Sequence, residues 1–435
     1  MKAQPNPVIV VPGITATYLR DQYYLPPQNV WAVLSKEYAR VTLHPDDLRY
    51  ELKEPSRVVP DQAYDVAYGN LIEELRFNLP RRRDEDAPVY PFGYDWRQPL
   101  EETERILDAF VEEVIDRTRL MPSYNRDAFD ENPRVDFVGH SMGGLIITGY
   151  LQRYGHKRRV RKVVTLATPF RGSFEAVVKV ATGTADLGTD HSGHREREAA
   201  RLTPSLYYLI PDVRQGLLPE KLPDDALFDP ANWQSSVVRS IADVIRQKGT
   251  RRDRHLQRGL DLFGRLLQAA RHHRVRIKNF DLSSAGLTAG DWLAVVGVDA
   301  ETRVRLKLGG RGKKVQFVLS ARDRDNRWGD ADPGKRIFTG DGTVPYAGAV
   351  PPFLPVNQLV CVTPDDFGYW ELADRVLTKA AGFHGILPNM NMIHRLITCF
   401  LTAKKDKYGN TWGRPAPEIE NWQPPIAGLR NKDRR

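Results

Sequence analysis

Three residues far apart in the chain, Ser141, Asp341 and His384, each stand between glycines, and their types and order suit one chemistry. A serine hydroxyl is a weak nucleophile at neutral pH. It attacks an acyl carbon efficiently only when an imidazole takes its proton and a carboxylate orients that imidazole. Ser141 lies in Gly139-His140-Ser141-Met142-Gly143, Asp341 in Gly340-Asp341-Gly342-Thr343-Val344-Pro345, and His384 between Gly382 and Gly385. Other residues offer less. Asp299, at the end of an apolar run, is the second choice for the acid. His140 adjoins Ser141 on the same turn and reads as a packing or supporting residue. His272 and His273 fall in a basic helical stretch, and His394 falls inside a helix.

The elements around these residues must place them together. Val135–Val138 reads as a buried strand, and Leu145–Leu151 reads as a helix. Strand, sharp turn and helix are what a nucleophile elbow needs, with Ser141 at the apex. Glycines at 139 and 143 let strand and helix cross closely. The Met142 N–H then points where an oxyanion would form, helped by the positive end of the helix. Val8–Val11 is a second buried strand, followed by the turn Pro12-Gly13-Ile14-Thr15. Its Ile14 N–H, ahead of Thr15 N–H, is the candidate second oxyanion donor.

Strand-like runs recur near Pro88–Arg97, Val163–Leu166, Trp292–Val298 and Gln358–Val362. The stripe Leu100, Leu107, Phe110, Val111, Val114, Ile115 predicts a core-facing helix. The alternation predicts an α/β class with a mostly parallel central sheet, helices on both faces and a helical cap. Arg303–Leu308 and Lys314–Leu319 flank a glycine-rich turn and predict a hairpin. Residues 369–381 predict a helix. The order serine, acid, histidine is that of the α/β-hydrolase fold.

The chain divides accordingly. Residues 1–172 and 291–403 form the two parts of the core, the second carrying acid and base. Residues 18–87, with aromatics among prolines, are expected to contribute a cap or to pack on the core. Residues 173–290 form a mainly helical cap, and residues 404–435 form a peripheral tail. Between Arg251 and Phe280 there are nine Arg or Lys against two Asp. Leu256, Leu260, Phe263, Leu267 and Ala270 make one apolar face there. Such a helix suits an anionic membrane surface, although packing that stripe within its own domain is the commoner outcome.

With 435 residues, 41% of them hydrophobic and 27% charged, the chain is globular in composition. The net charge of +9 favours an anionic partner such as phospholipid headgroups. Cys361 and Cys399 each lie in an apolar run and read as buried thiols. No metal cluster and no cofactor motif is visible in the sequence. The first residues run into a strand without an apolar leader, and no stretch has transmembrane length. This predicts a cytoplasmic chain that meets membranes peripherally or leaves the cell by a signal-independent route.

The chain resembles the lecithin:cholesterol acyltransferase-like family of α/β-hydrolases, which includes lysosomal phospholipase A2. The matching segments are Val8-Ile-Val-Val-Pro-Gly13, Tyr94-Asp-Trp-Arg97, Gly139-His-Ser-Met-Gly143, Thr168-Pro-Phe-Arg-Gly-Ser173, Gly340-Asp-Gly-Thr-Val-Pro345 and His384-Gly-Ile-Leu. The resemblance implies Ser141 as nucleophile, Asp341 as acid, His384 as base, and Ile14 and Met142 as oxyanion donors. It implies a serine-dependent lipid acyl hydrolase or O-acyltransferase without cofactor or metal. The secreted and lysosomal members hold a lid by a disulfide, and lid cysteines are missing here. Two alternatives stand beside it. One is an esterase acting on a soluble ester. The other is a silent α/β-hydrolase-fold protein that binds a partner through Arg251–Lys278; nucleic acid is not expected as the ligand.

Overall fold

Short runs of β-branched residues build the frame. The computed structural model describes residues 5–433 except 54, 81–84, 86, 123, 125–128, 184–193, 215, 311–315, 319–326, 369–381 and 407. Val8–Val11 (β1), Val89–Pro91 (β2), Val135–His140 (β3), Val160–Leu166 (β4), Trp292–Gly297 (β5) and Val360–Val362 (β6) form one sheet. The strand order is β6-β5-β4-β3-β1-β2, and every pairing is parallel. A parallel sheet is covered on both faces, so its strands are mainly apolar rather than alternating. Accordingly β1, β3, β5 and β6 are buried at every residue.

Successive side chains along each strand feed two separate cores. Ile9, Val11, Val135 and Phe137 point to one core, while Val8, Val10 and Val138 point to the other. Asp65–Asn78 (α1) and Asn391–Thr402 (α6) cover the second core through Tyr68, Leu71, Leu75, Ile393 and Ile397. Leu100–Arg119 (α2), Met142–Tyr154 (α3), Ser235–Lys248 (α4) and His255–Lys278 (α5) lie on the side of the first. In α2 the predicted residues Leu100, Leu107, Val111, Val114 and Ile115 are buried.

Four expectations are refined. Residues 18–87, expected to contribute a cap or to pack on the core, carry structure of their own. Strands Thr17–Asp21, Gln28–Trp31 and Val58–Ala63 make an antiparallel sheet, and Trp31 is fully buried beside Trp96 with ring centroids 4.7 Å apart. The hairpin forms between Leu306–Gly309 and Gln316–Val318. The basic stretch is the helix α5, but most of its apolar face is turned inward: Phe263, Leu267 and Ala270 are buried, while Leu256 and Leu260 at its start are exposed. The buried part is therefore filled by the protein itself and not free for a membrane. The tail, expected to be peripheral, covers the outer edge of β6: Arg414 is buried and exchanges backbone hydrogen bonds of 2.9 and 3.0 Å with Cys361. The predicted helix over 369–381 lies outside the described residues. Among the described residues no helix is long and apolar enough to cross a membrane.

Candidate active site

Ser141 occupies the turn between β3 and α3 with φ 53° and ψ −126°, a conformation that a side chain adopts only under constraint. The constraint is close packing. A Cβ at Gly143 would lie 2.7 Å from the Pro12 oxygen, and one at Gly139 would lie 2.9 Å from the Gly144 nitrogen. Strand and helix can meet at this angle because those carbons are missing. The strain therefore holds Ser141 at the carboxyl end of the sheet, beside the loop Pro12–Thr15. A Cβ on Gly13 would sit 3.0 Å from the Ser141 Cβ.

Asp341 belongs to a loop whose backbone folds around its own carboxylate. Oδ1 accepts from the N–H groups of Thr343 (2.9 Å) and Val344 (2.7 Å). Gly342 has φ 94°, and its N–H donates to Thr302 Oγ1 at 2.7 Å. The remaining oxygen, Oδ2, is 2.7 Å from His384 Nδ1, and the His384 N–H donates to the Asp341 carbonyl at 3.0 Å. His384 Nε2 lies 2.9 Å from Ser141 Oγ. An ionised carboxylate can only accept, so Nδ1 carries the proton and Nε2 offers a lone pair to the serine hydroxyl. The three residues are buried, with 6, 1 and 5% of Ser141, Asp341 and His384 exposed. The rival acid, Asp299, is placed otherwise: its carboxylate accepts from the Trp328 N–H at 2.7 Å.

The two candidate oxyanion donors stand on this geometry as follows. Met142 opens α3, so its N–H is among the first-turn groups that no helical carbonyl can satisfy. In the loop after β1, the Gly13 N–H is taken by the Tyr68 hydroxyl at 2.9 Å, which leaves Ile14 as the next N–H along. Tyr94 Oη donates to the Pro12 carbonyl at 2.9 Å and fixes the loop from the other side.

Two sequence segments act as braces. In Tyr94-Asp-Trp-Arg97, Arg97 grips Asp95 with both prongs (2.8 and 2.7 Å), reaches Glu51 at 3.0 Å and donates to the Val41 carbonyl. It thereby ties the segment from Val41 to Glu51 to the core. In Thr168–Ser173, the Arg171 N–H donates to the Gly348 carbonyl at 2.8 Å and Ser173 Oγ donates to the Thr343 carbonyl, so this segment holds the Asp341 loop.

His140 does more than pack. Its Nδ1 is 2.8 Å from Tyr68 Oη and its Nε2 is 3.0 Å from the His384 carbonyl. Burial, with the nearby His384 adding to it, pushes its pKa well below the ordinary histidine range. Tyr68 carries no sequence signal of such a contact, being one apolar-face residue of α1. Only its packing on the sheet reveals it.

Comparison with known proteins fits this description. Residues 81–243 match the model of the family described as lecithin:cholesterol acyltransferase. A chain of the Tle4–Tli4 complex shares the fold with a TM-score of 0.57 at 16% identity, over 81% of this chain and 90% of that one. Phospholipase PlaB from Legionella pneumophila in complex with thio-NAD (TM-score 0.32, 12% identity, 72% of this chain and 48% of that one) is too distant to carry an argument. The same holds for the lin2722 gene product of Listeria innocua (0.32, 13%, 93% and 96%). No curated protein matches the chain. The chain thus has the α/β-hydrolase fold, and its residues 81–243 are similar to the lecithin:cholesterol acyltransferase family model.

Proposed function

We propose that the protein is a serine-dependent lipid acyl hydrolase or O-acyltransferase that works through an acyl-serine intermediate. The observation that carries this reading is the hydrogen-bonded line from Asp341 through His384 to Ser141, at 2.7 and 2.9 Å, beside two candidate backbone donors. His384 Nε2 takes the hydroxyl proton as Ser141 Oγ bonds to the acyl carbon. The carbonyl oxygen becomes an oxyanion held by the Ile14 and Met142 N–H groups, and Asp341 stabilises the imidazolium that forms. Collapse breaks the ester bond, and the leaving alcohol takes the proton from Nε2. Water or an acceptor alcohol then attacks the acyl-serine by the same route in reverse, giving acid or new ester.

The fatty-acyl substrate is supported by the match of residues 81–243 to a lipid acyltransferase family and by the net charge of +9, which favours anionic lipid surfaces. The alternative of a silent binding protein acting through the basic surface of Arg251–Lys278 predicts no turnover and no labelling of Ser141. The test is hydrolysis of short-chain p-nitrophenyl esters and of phosphatidylglycerol vesicles, with and without an added alcohol, by wild type and Ser141→Ala. Loss of the nucleophile should lower turnover on the order of 10⁴–10⁶-fold. Equal rates in the two proteins would end the reading. Cleavage of the soluble ester alone would point to an esterase.

A further inference from the structure

A buried chain of polar groups outside the Ser141–His384–Asp341 line joins three segments around Ser141. We infer that Tyr68 and His140 are positioning residues, forming a one-way hydrogen-bond relay that locks the Pro12–Gly13 peptide, one residue before Ile14, to the backbone of His384. The inference rests on the reading of Ser141 and His384 as nucleophile and base.

The direction of the relay follows from what each atom can do. The His384 carbonyl can only accept, so His140 Nε2, 3.0 Å away, must donate to it. A neutral imidazole then has a bare lone pair on Nδ1, and the group 2.8 Å from it is the Tyr68 hydroxyl. That hydroxyl donates its one proton to Nδ1, and its oxygen accepts the Gly13 N–H at 2.9 Å. Every donor in the chain is matched to an acceptor. Burial keeps both ends in the required form, holding the phenol protonated and the imidazole neutral.

The surroundings leave the relay little freedom. Tyr68 and His140 are 1 and 5% exposed, and their rings meet edge to face with centroids 5.8 Å apart. The His140 and His384 rings are 5.0 Å apart. The relay has two effects on the chemistry. Fixing the Gly13 N–H on Tyr68, with Tyr94 on the Pro12 carbonyl, anchors the Pro12–Gly13 peptide from both sides and so the point from which Ile14, the candidate oxyanion donor, is placed. Holding the His384 carbonyl sets the height of the imidazole above Ser141. A displacement of about 1 Å at either point is enough to lower the rate about a hundredfold.

The experiment compares Tyr68→Phe, His140→Leu, His140→Gln and the double variant Tyr68→Phe/His140→Leu on p-nitrophenyl butyrate, with fluorophosphonate labelling of Ser141 in parallel. Tyr68→Phe and His140→Leu should each lower kcat roughly 10–100-fold with KM within about twofold, and labelling should slow to match. The double variant should be no slower than the worse single, because both break one relay. His140→Gln, which keeps an amide donor for the His384 carbonyl, should recover most of the loss. A direct readout that needs no turnover is ¹⁵N NMR of the wild-type imidazoles: His140 should carry its proton on Nε2 and none on Nδ1. A proton on Nδ1, or folded variants that keep wild-type kcat and labelling, would overturn the relay. Full activity of Ser141→Ala would instead overturn the reading of the site, and the tautomer result would stand apart from it.

Discussion

The rim of the sheet and the helices that follow β4 are fastened by different forces. At the rim, position is set by backbone. Glycines at 139 and 143 bring Ser141 against the Pro12–Thr15 loop, and two N–H groups of its own loop hold Asp341. Between α5 and the core, position is set by charge. Glu104 on α2 is fully buried and meets His273 at 2.8 Å and Arg276 at 3.2 Å on α5, with Arg153 on α3 at 3.5 Å. Arg274 of the same helix donates to the carbonyls of Phe170, Tyr208 and Ile210. A backbone-set site tolerates little drift, whereas an insertion tied by side chains can change in sequence without disturbing the chemistry.

The contrast can be broken from the charged side. Leu267→Ala on the inward face of α5 should cost about 2–5 kcal/mol, while Leu256→Ala, 56% exposed, should cost about 0.5 kcal/mol or less. Equal effects would return the helix to a free, membrane-facing role. Next in size, Glu104→Ala removes a fully buried carboxylate from half-buried Arg276 and Arg153 and from buried His273, and should cost about 1–3 kcal/mol of stability, read as a shift in the urea midpoint. Turnover of p-nitrophenyl butyrate per folded molecule should stay close to wild type. A loss of turnover as large as the loss of stability would mean that the two regions are not separable.

The smallest effect concerns acid. His140 is held neutral by burial, with His384 beside it, so its folded pKa lies below the unfolded value near 6.5. Below that pH the unfolded chain binds a proton that the folded chain refuses. Stability should therefore fall as the pH drops from about 7 to 5, by up to about 1.4 kcal/mol per pH unit for this one group. Urea titrations at both ends of that range should show a shallower fall for His140→Gln. An unchanged slope would mean that His140 does not titrate as its surroundings demand.

Much of this was legible in the sequence because it is written in local patterns. Val8–Val11 is an unbroken apolar run that only a sheet covered on both faces can bury, and Val135–Val138 is apolar but for Asp136. The glycine pairs around Ser141 and Asp341 mark backbone that must turn tightly, and the chain order of the three polar residues matched one known fold. The α5 stripe was ambiguous for a physical reason: an apolar face on a basic helix looks the same whether lipid or protein covers it.

What tertiary structure alone decided are the long-range pairings, and these have no local trace. Periodicity reports which face of an element is apolar, not what lies opposite. The hydroxyl of Tyr68 on α1, the buried carboxylate of Glu104 and the Arg414 backbone on the edge of β6 acquire their partners only when distant segments pack. The sequence by itself determined which turns had to be tight and which runs had to be buried. Packing determined which polar atom ends each hydrogen bond, because removing water from that atom leaves it only the neighbours that the fold supplies.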